Sequence, residues 1–269
     1  MADPTADWSA VDDHEDVDRF TDYLATLTGA EAVRGYKRRS HRLLDLRAGD
    51  RVLDVGCGRG DDALMLAEAV GPGGEVVGVD NSETMVEQAR ERAAEVPAAF
   101  AVEDALDLPF ADDDFDAARA DRVLQHLDAP DEALAELRRV TRPGGRVGVS
   151  DPDWVTAIVD TDTGHTDRFL SVEYACPRAP TRGRQLYRLA TDGGLVDVDV
   201  DTWTLTSTDL AFIEEVGGLA AWTESMVAAG EVTEAEVEEW YEGLGAADER
   251  GSFFSSITGF TVVGTVPGE

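Results

Sequence analysis

Between residues 50 and 150, short apolar strands alternate with amphipathic helices without a break, and no other feature of the sequence constrains the fold as strongly. Arg51-Val-Leu-Asp-Val55 is a short buried strand, followed by the glycine-rich Gly56-Cys-Gly-Arg-Gly60. A helix is predicted over 61–70 with Asp61 and Asp62 at its positive end, and Gly71-Pro-Gly-Gly74 stops it. Glu75–Asp80 is a second strand and 82–95 a second helix; Phe100–Val102 and Phe115–Arg119 lie in a third and a fourth strand. Asp128 is placed to cap a helix over 130–140, with Pro130 in its first turn and Pro143-Gly144-Gly145 at its end. Arg146–Ser150 is the fifth strand. Such alternation predicts an α/β fold: a parallel sheet with right-handed crossovers and helices on both faces.

The flanks have a different texture. Residues 14–28 and 31–46 are predicted as helices. Residues 151–180 are loop-rich, then come a helix at 181–192, a strand at 195–205, helices at 209–229 and 233–248, and a last strand at 253–263. Asp197, Asp199 and Asp201 alternate with Val196, Val198 and Val200, the pattern of a strand with one wet face.

Charge excludes several functions. Lys+Arg is 23 and Asp+Glu 56, a net −33 over 269 residues, so a surface that grips nucleic-acid phosphates is ruled out and an anionic membrane repels the chain. No apolar run reaches the roughly 18 residues of a membrane span, and the acidic start is no secretory signal, so a cytoplasmic location is expected. The acid is spread along the whole chain, and Lys37 is the single lysine. Such a surface repels itself in dilute buffer and is screened within roughly 3 Å at about 1 M salt, which points to a halophilic protein. Two cysteines, Cys57 and Cys176, make no disulfide framework, and no Cys/His spacing suggests a metal.

A glycine-rich turn after a first strand brings backbone against a ligand. Gly56, Gly58 and Gly60 read G-x-G-x-G, not the G-x-G-x-x-G of dinucleotide folds. Asp61 and Asp62 also put negative charge where a pyrophosphate would sit. Together these favour a ligand without phosphates. Val52-Leu-Asp-Val-Gly-Cys-Gly-Arg-Gly60 closely resembles motif I of class I S-adenosylmethionine-dependent methyltransferases. The resemblance continues, in order, through Val76–Met85, through Glu103-Asp104-Ala105 with Leu108-Pro-Phe110, through Phe115-Asp116 to His126, and through Leu137–Gly145. It is nearest to the small-molecule branch that includes the quinone-biosynthesis methyltransferases.

The resemblance implies a Rossmann-like methyltransferase fold with a seven-stranded, mostly parallel sheet of order 3-2-1-4-5-7-6. It implies one domain over 1–269: an N-terminal helical lid (1–48), a cofactor-binding core (49–150) and a substrate-side half (151–269) with a helical insertion before the last strand. The cofactor it implies is S-adenosyl-L-methionine. By the resemblance Asp54 orients its methionyl ammonium, directly or through water, and the backbone of Gly56, Cys57 and Gly58 approaches the methionyl part. Asp80 accepts from both ribose hydroxyls, with Asn81 beside it. Met85 packs on the adenine, Asp104 accepts from its amino group, and the Ala105 N–H meets a ring nitrogen. Ala120 and Arg122 flank the methyl. His126 and Asp153 are the candidate catalytic groups, and Tyr23, Tyr36 and Trp154 the candidate substrate-side residues. Four of the five tryptophans follow residue 150, which favours an apolar or aromatic small-molecule acceptor. The alternative is a non-catalytic S-adenosylmethionine-binding regulator on the same fold.

Overall fold

The computed structural model describes residues 8–93, 96–160, 169 and 179–268. A 3-10 segment (Trp8–Asp13) precedes α1 (Asp18–Gly29) and α2 (Glu31–Leu43). Then come β1 (Arg51–Val55), α3 (Asp61–Val70), β2 (Glu75–Asp80), α4 (Glu83–Arg92), β3 (Ala98–Val102) and β4 (Phe115–Asp121). They are followed by α5 (Pro130–Val140), β5 (Thr141–Asp160), α6 (Arg182–Asp192) and β6 (Val196–Ser207). The chain closes with α7 (Leu210–Gly217), α8 (Leu219–Ala229), α9 (Glu234–Glu249) and β7 (Phe254–Thr265).

The seven strands form one sheet of order β3-β2-β1-β4-β5-β7-β6, as expected. β1 to β5 pair in parallel; β7 runs antiparallel between β5 and β6. Strand alternation splits the core in two. Leu53, Val55, Val77, Val79 and Val149 meet Leu134 and Leu137 of α5 and Leu186 of α6 on one face. Val52 and Val76 meet Leu66 and Val70 of α3 and Val86 and Ala89 of α4 on the other. Burying such side chains on both faces is the main drive for the fold, at about 1.5–3 kcal/mol for each large one.

Several sequence expectations are corrected. The first helix begins at Asp18 rather than 14, after the separate 3-10 segment. The N-cap of α5 is Ala129, not Asp128, with Pro130 in the first turn. Pro143-Gly144-Gly145 does not terminate α5, which ends at Val140; the stretch is strand, held by Gly144 N–H to Val266 O at 2.8 Å and Val266 N–H to Gly145 O at 2.9 Å. β5 continues to Asp160 where loop was expected, because β7 is long enough to pair with it on both sides of an irregularity between Asp153 and Ile158. Of the remaining loop, 161–168 and 170–178 lie outside the described residues, and Cys176 with them. The helix expected over 209–229 is broken at Gly218, whose φ of 59° is left-handed. The valine face of β6 is not dry: Val196 and Val200 are 43% and 48% exposed, and the register shifts between Val196 and Asp199.

β6 is thus the sheet edge, while β7 is paired on both sides. Acidic side chains on such an edge discourage pairing with a second sheet. Amide hydrogen exchange in β7 is expected to be slower than in β6; the reverse order would contradict this topology.

Most of the tryptophans are spent on packing. Trp203 stacks on Tyr36 of α2, ring centroids 4.3 Å apart, and Trp222 and Trp240 are buried with Trp154, Phe169 and Phe253 in the core of the C-terminal helices. Only Trp8 and Trp154 reach the cavity described next.

Candidate active site

The carboxyl ends of β1, β2 and β4 open into a cavity of about 1280 Å³, its mouth included. Its floor is the turn after β1. Gly56 has φ +68°, and a Cβ there would fall 2.2 Å from Val123 Cγ2, so neither the backbone nor the space admits a side chain. Cys57 N–H donates to Val79 O at 2.9 Å and Gly60 N–H to Cys57 O at 2.9 Å, which fixes the turn against β2. Burial pushes the Cys57 thiol well up, so it is a neutral wall group and not a nucleophile.

Asp80 ends β2 on the cavity wall. Its Oδ2 accepts from Gly58 N–H at 2.8 Å and its Oδ1 from Ser82 N–H at 3.1 Å. Burial raises the carboxyl, and these N–H groups oppose that rise. The carboxylate is therefore pinned, with lone pairs left for a ligand's hydroxyls. Beside it Asn81 Nδ2 donates to Ser9 O at 2.8 Å, which ties the 3-10 segment over this end. Met85 is buried with Val11 and Phe20 and lines the cavity, as do Asp104 and Ala105; Asp104 Oδ1 accepts from Leu106 N–H at 2.9 Å. Asp61 and Asp62 also line it, so the start of α3 meets any ligand with carboxylates. These groups suit a ligand with neighbouring hydroxyls, a planar base and a cationic part, and they disfavour phosphates.

Tyr23, Arg122, Gln125, His126 and Trp154 also line the cavity, with Trp8. Arg122 Nη2 donates to Tyr23 Oη at 2.7 Å, and Trp154 Nε1 donates to the buried Gln125 Oε1 at 2.9 Å. The His126 ring lies 6.1 Å from Trp8, centroid to centroid.

Four expected site residues do not reach the wall. Asp54 and Ala120 are strand residues whose side chains point under the helices, at 1% and 2% exposure. Tyr36 is occupied by Trp203 and points its hydroxyl at Asp121, 3.3 Å away. Asp153 is 1% exposed and forked by Arg184, with Nη2 2.8 Å from Oδ1.

Beneath the cavity lies a buried ion cluster that the sequence did not flag. Lys37 of α2 donates to Asp62 of α3 and, at 2.9 Å, to Asp121 of β4. Arg119 stands 2.8 Å from Asp54, 3.0 Å from Asp121 and 3.3 Å from Asp62. Burial opposes the Lys37 charge, but Asp121 and Asp62 outweigh it and hold the ammonium above its usual range. His41, 3.3 Å from Asp62, is kept neutral by burial. Three carboxylates thus face two cations, an excess of negative charge that favours a proton on one carboxylate. Asp54 is that group: burial pushes it up to about 7 against the pull of Arg119, and its Oδ2 has no partner.

A carboxyl held above its unfolded value of about 3.9 binds its proton more tightly in the fold. Its contribution to stability is then present below that value and lost as pH rises from about 4 to about 7. Asn mimics the protonated acid. The melting temperature of Asp54→Asn relative to wild type should therefore rise between pH 5 and pH 8; a flat difference would mean that Asp54 is ionised throughout.

Sheet order, glycine turn and acidic β2 end together define the Rossmann-like methyltransferase architecture. The profile of the methyltransferase domain family matches residues 46–194. An uncharacterized 37.1 kDa protein in transposon TN4556 of Streptomyces fradiae is 41% identical over 244 residues, which are 90% of this chain and 70% of that one. The 2-phytyl-1,4-naphtoquinone methyltransferase of Synechococcus elongatus is 40% identical over 120 residues, 43% of this chain, and the match spans about half, 52%, of that enzyme. Among solved structures, the YcgJ protein of Bacillus subtilis has the same fold, with a TM-score of 0.62 at 20% identity, over 88% of this chain and all of that one. The chain belongs to the methyltransferase domain family.

Proposed function

We propose that this chain binds S-adenosylmethionine in the cavity and transfers its methyl group to a small apolar or aromatic acceptor. The observation that carries this is the pinned Asp80 carboxylate facing a cavity whose floor is the Gly56–Gly60 turn, where Gly56 leaves no room for a side chain. When bound, the cofactor supplies a methyl group on a positively charged sulfur, ready for in-line displacement. The chain's own work is positioning. Asp80 would accept from the ribose hydroxyls, and Asn81, Met85, Asp104 and Ala105 would enclose the adenine. The backbone of Gly56, Cys57 and Gly58 would lie along the methionyl part. Asp54 would act from below, through the ion cluster, and not by direct contact. His126, on the wall, is the candidate base for an acceptor that keeps its proton.

The quinone methyltransferase relative supports a small aromatic acceptor. Residues 1–48 would serve as lid, 49–150 as cofactor core and 151–269 as substrate-side half. No helix among the described residues is long and apolar enough to cross a membrane, which suits a cytoplasmic enzyme. The spread charge of −33 supports a halophilic setting. Melting in dilute buffer is then expected well below melting in molar KCl, and a melting temperature flat across that range would remove the halophilic reading. The function itself is tested by incubating the protein with methyl-labelled cofactor and an extract of the source cell in molar KCl. Label should enter a small organic-soluble product. Cofactor binding with no transfer to any extract fraction would favour the regulatory reading.

A further inference from the structure

Among the described residues three cations line the cavity, and two of them are already paired. Lys37 Nζ is 2.9 Å from Asp121, and Arg59 Nε is 3.0 Å from Asp61. Arg122 is the third. Its guanidinium donates to the Tyr23 hydroxyl and makes no ion pair among the described residues. Neither nearby acid forms an ion pair with it. Asp121 holds Lys37 and Arg119, and Asp151 is fully buried, its carboxyl held well up by burial and by Asp121 against the pull of Arg122 and a backbone hydrogen bond from Gln125. The backbone at this position is also held in place. Arg122 sits at φ +63°, in the left-handed region, its N–H donating to Ser150 O at 2.6 Å. Such backbone is costly for a side-chain-bearing residue and persists where the surroundings hold it.

A cation in a cavity wall without a counter-charge is completed by an anionic ligand. A guanidinium fork matches the two oxygens of a carboxylate and also stabilises a single ionised hydroxyl. Tyr23, bonded to Arg122, lies 5.2 Å ring to ring from Trp8, and Trp154 lines the same cavity. We propose that Arg122 selects the acceptor, a planar aromatic compound carrying an oxyanion, either a carboxylate or an ionised ring hydroxyl, which pairs with the guanidinium. This rests on the methyltransferase reading and reassigns Arg122 from the cofactor to the acceptor. An opposite charge within about 4–6 Å favours the ionised form of a hydroxyl, so Arg122 would also ready such an acceptor for methylation without a protein base.

The test uses the full chain in molar KCl, held constant across all arms, with 2-naphthoate, 2-naphthamide and 2-naphthol as probes. For a carboxylate, naphthoate should bind at least tenfold tighter than the isosteric amide. For a hydroxyl, the naphtholate absorbance should appear at lower pH when the probe is bound than when it is free. Either result supports the proposal and identifies the source of the oxyanion. Arg122→Met should abolish whichever effect is seen, and Arg122→Lys should retain part of it. Neither effect in the wild type would overturn the proposal. So would a tenfold or greater loss of S-adenosylhomocysteine affinity in Arg122→Met with 5′-methylthioadenosine affinity unchanged, because Arg122 would then hold the cofactor's own carboxylate. Failure of S-adenosylhomocysteine to bind the wild type would instead sink the methyltransferase reading, and the probe arms, run without cofactor, would still report on Arg122.

Discussion

Replacing Lys37 by methionine is expected to destabilise the protein by about 3–5 kcal/mol, the usual cost of removing one partner from a buried ion pair. Methionine keeps the length and most of the volume, so the loss is electrostatic. Asp62, Asp121 and Asp54 would then share one buried cation, Arg119. Against a total stability of typically 5–15 kcal/mol, the variant should unfold at a much lower denaturant concentration. Adding Asp62→Asn to Lys37→Met should recover part of the loss, because it removes one of the uncompensated charges. A single-variant cost below about 1 kcal/mol would mean that the cluster is wet and the pairing superficial.

The second large effect concerns Asp80. Alanine there removes both acceptor oxygens offered to the ribose, and a hydrogen bond to a charged group contributes about 1.5–3 kcal/mol. At 1.4 kcal/mol per tenfold, S-adenosylhomocysteine should bind roughly 10- to 100-fold more weakly. Asp80→Asn keeps the shape and should fall between. Asp80 also accepts from Gly58 and Ser82 N–H, so melting must be followed beside binding. Alanine leaves those two donors unsatisfied and is expected to lower stability as well. Unchanged affinity in a folded Asp80→Ala protein would move the ribose elsewhere.

The alternation of residues 50–150 was legible because its strands begin as short, mostly apolar runs and glycine follows both β1 and α3, signals that act within a few residues. The edges of β5 and the break at Gly218 were not, because both depend on partners far along the chain: β7 for the first, packing of the C-terminal helices for the second. The site divides in the same way. Gly56, Cys57, Gly58, Asp80, Met85 and Asp104 lie at or just past strand ends or on the helix that follows, where a side chain or backbone group can face the crevice, and all line the cavity. Asp54 and Ala120 lie one step inside their strands, where the alternation of faces turns the side chain under a helix. The ion cluster joins residues 37, 54, 62, 119 and 121 from α2, β1, α3 and β4, separations no local pattern reports. One signal was available: Lys37 is the single lysine in a chain whose other long-chain cations are all arginine. Its compact ammonium reaches two carboxylates in a space that a planar guanidinium fills differently.

The central claim is that the cavity holds S-adenosylmethionine. Calorimetric titration of S-adenosylmethionine into the wild-type chain in molar KCl tests it most directly. One equivalent should bind saturably, S-adenosylhomocysteine should displace it, and a nicotinamide dinucleotide at the same concentration should give no heat. Absence of saturable binding by a folded protein, or tighter binding of the dinucleotide, would contradict the account.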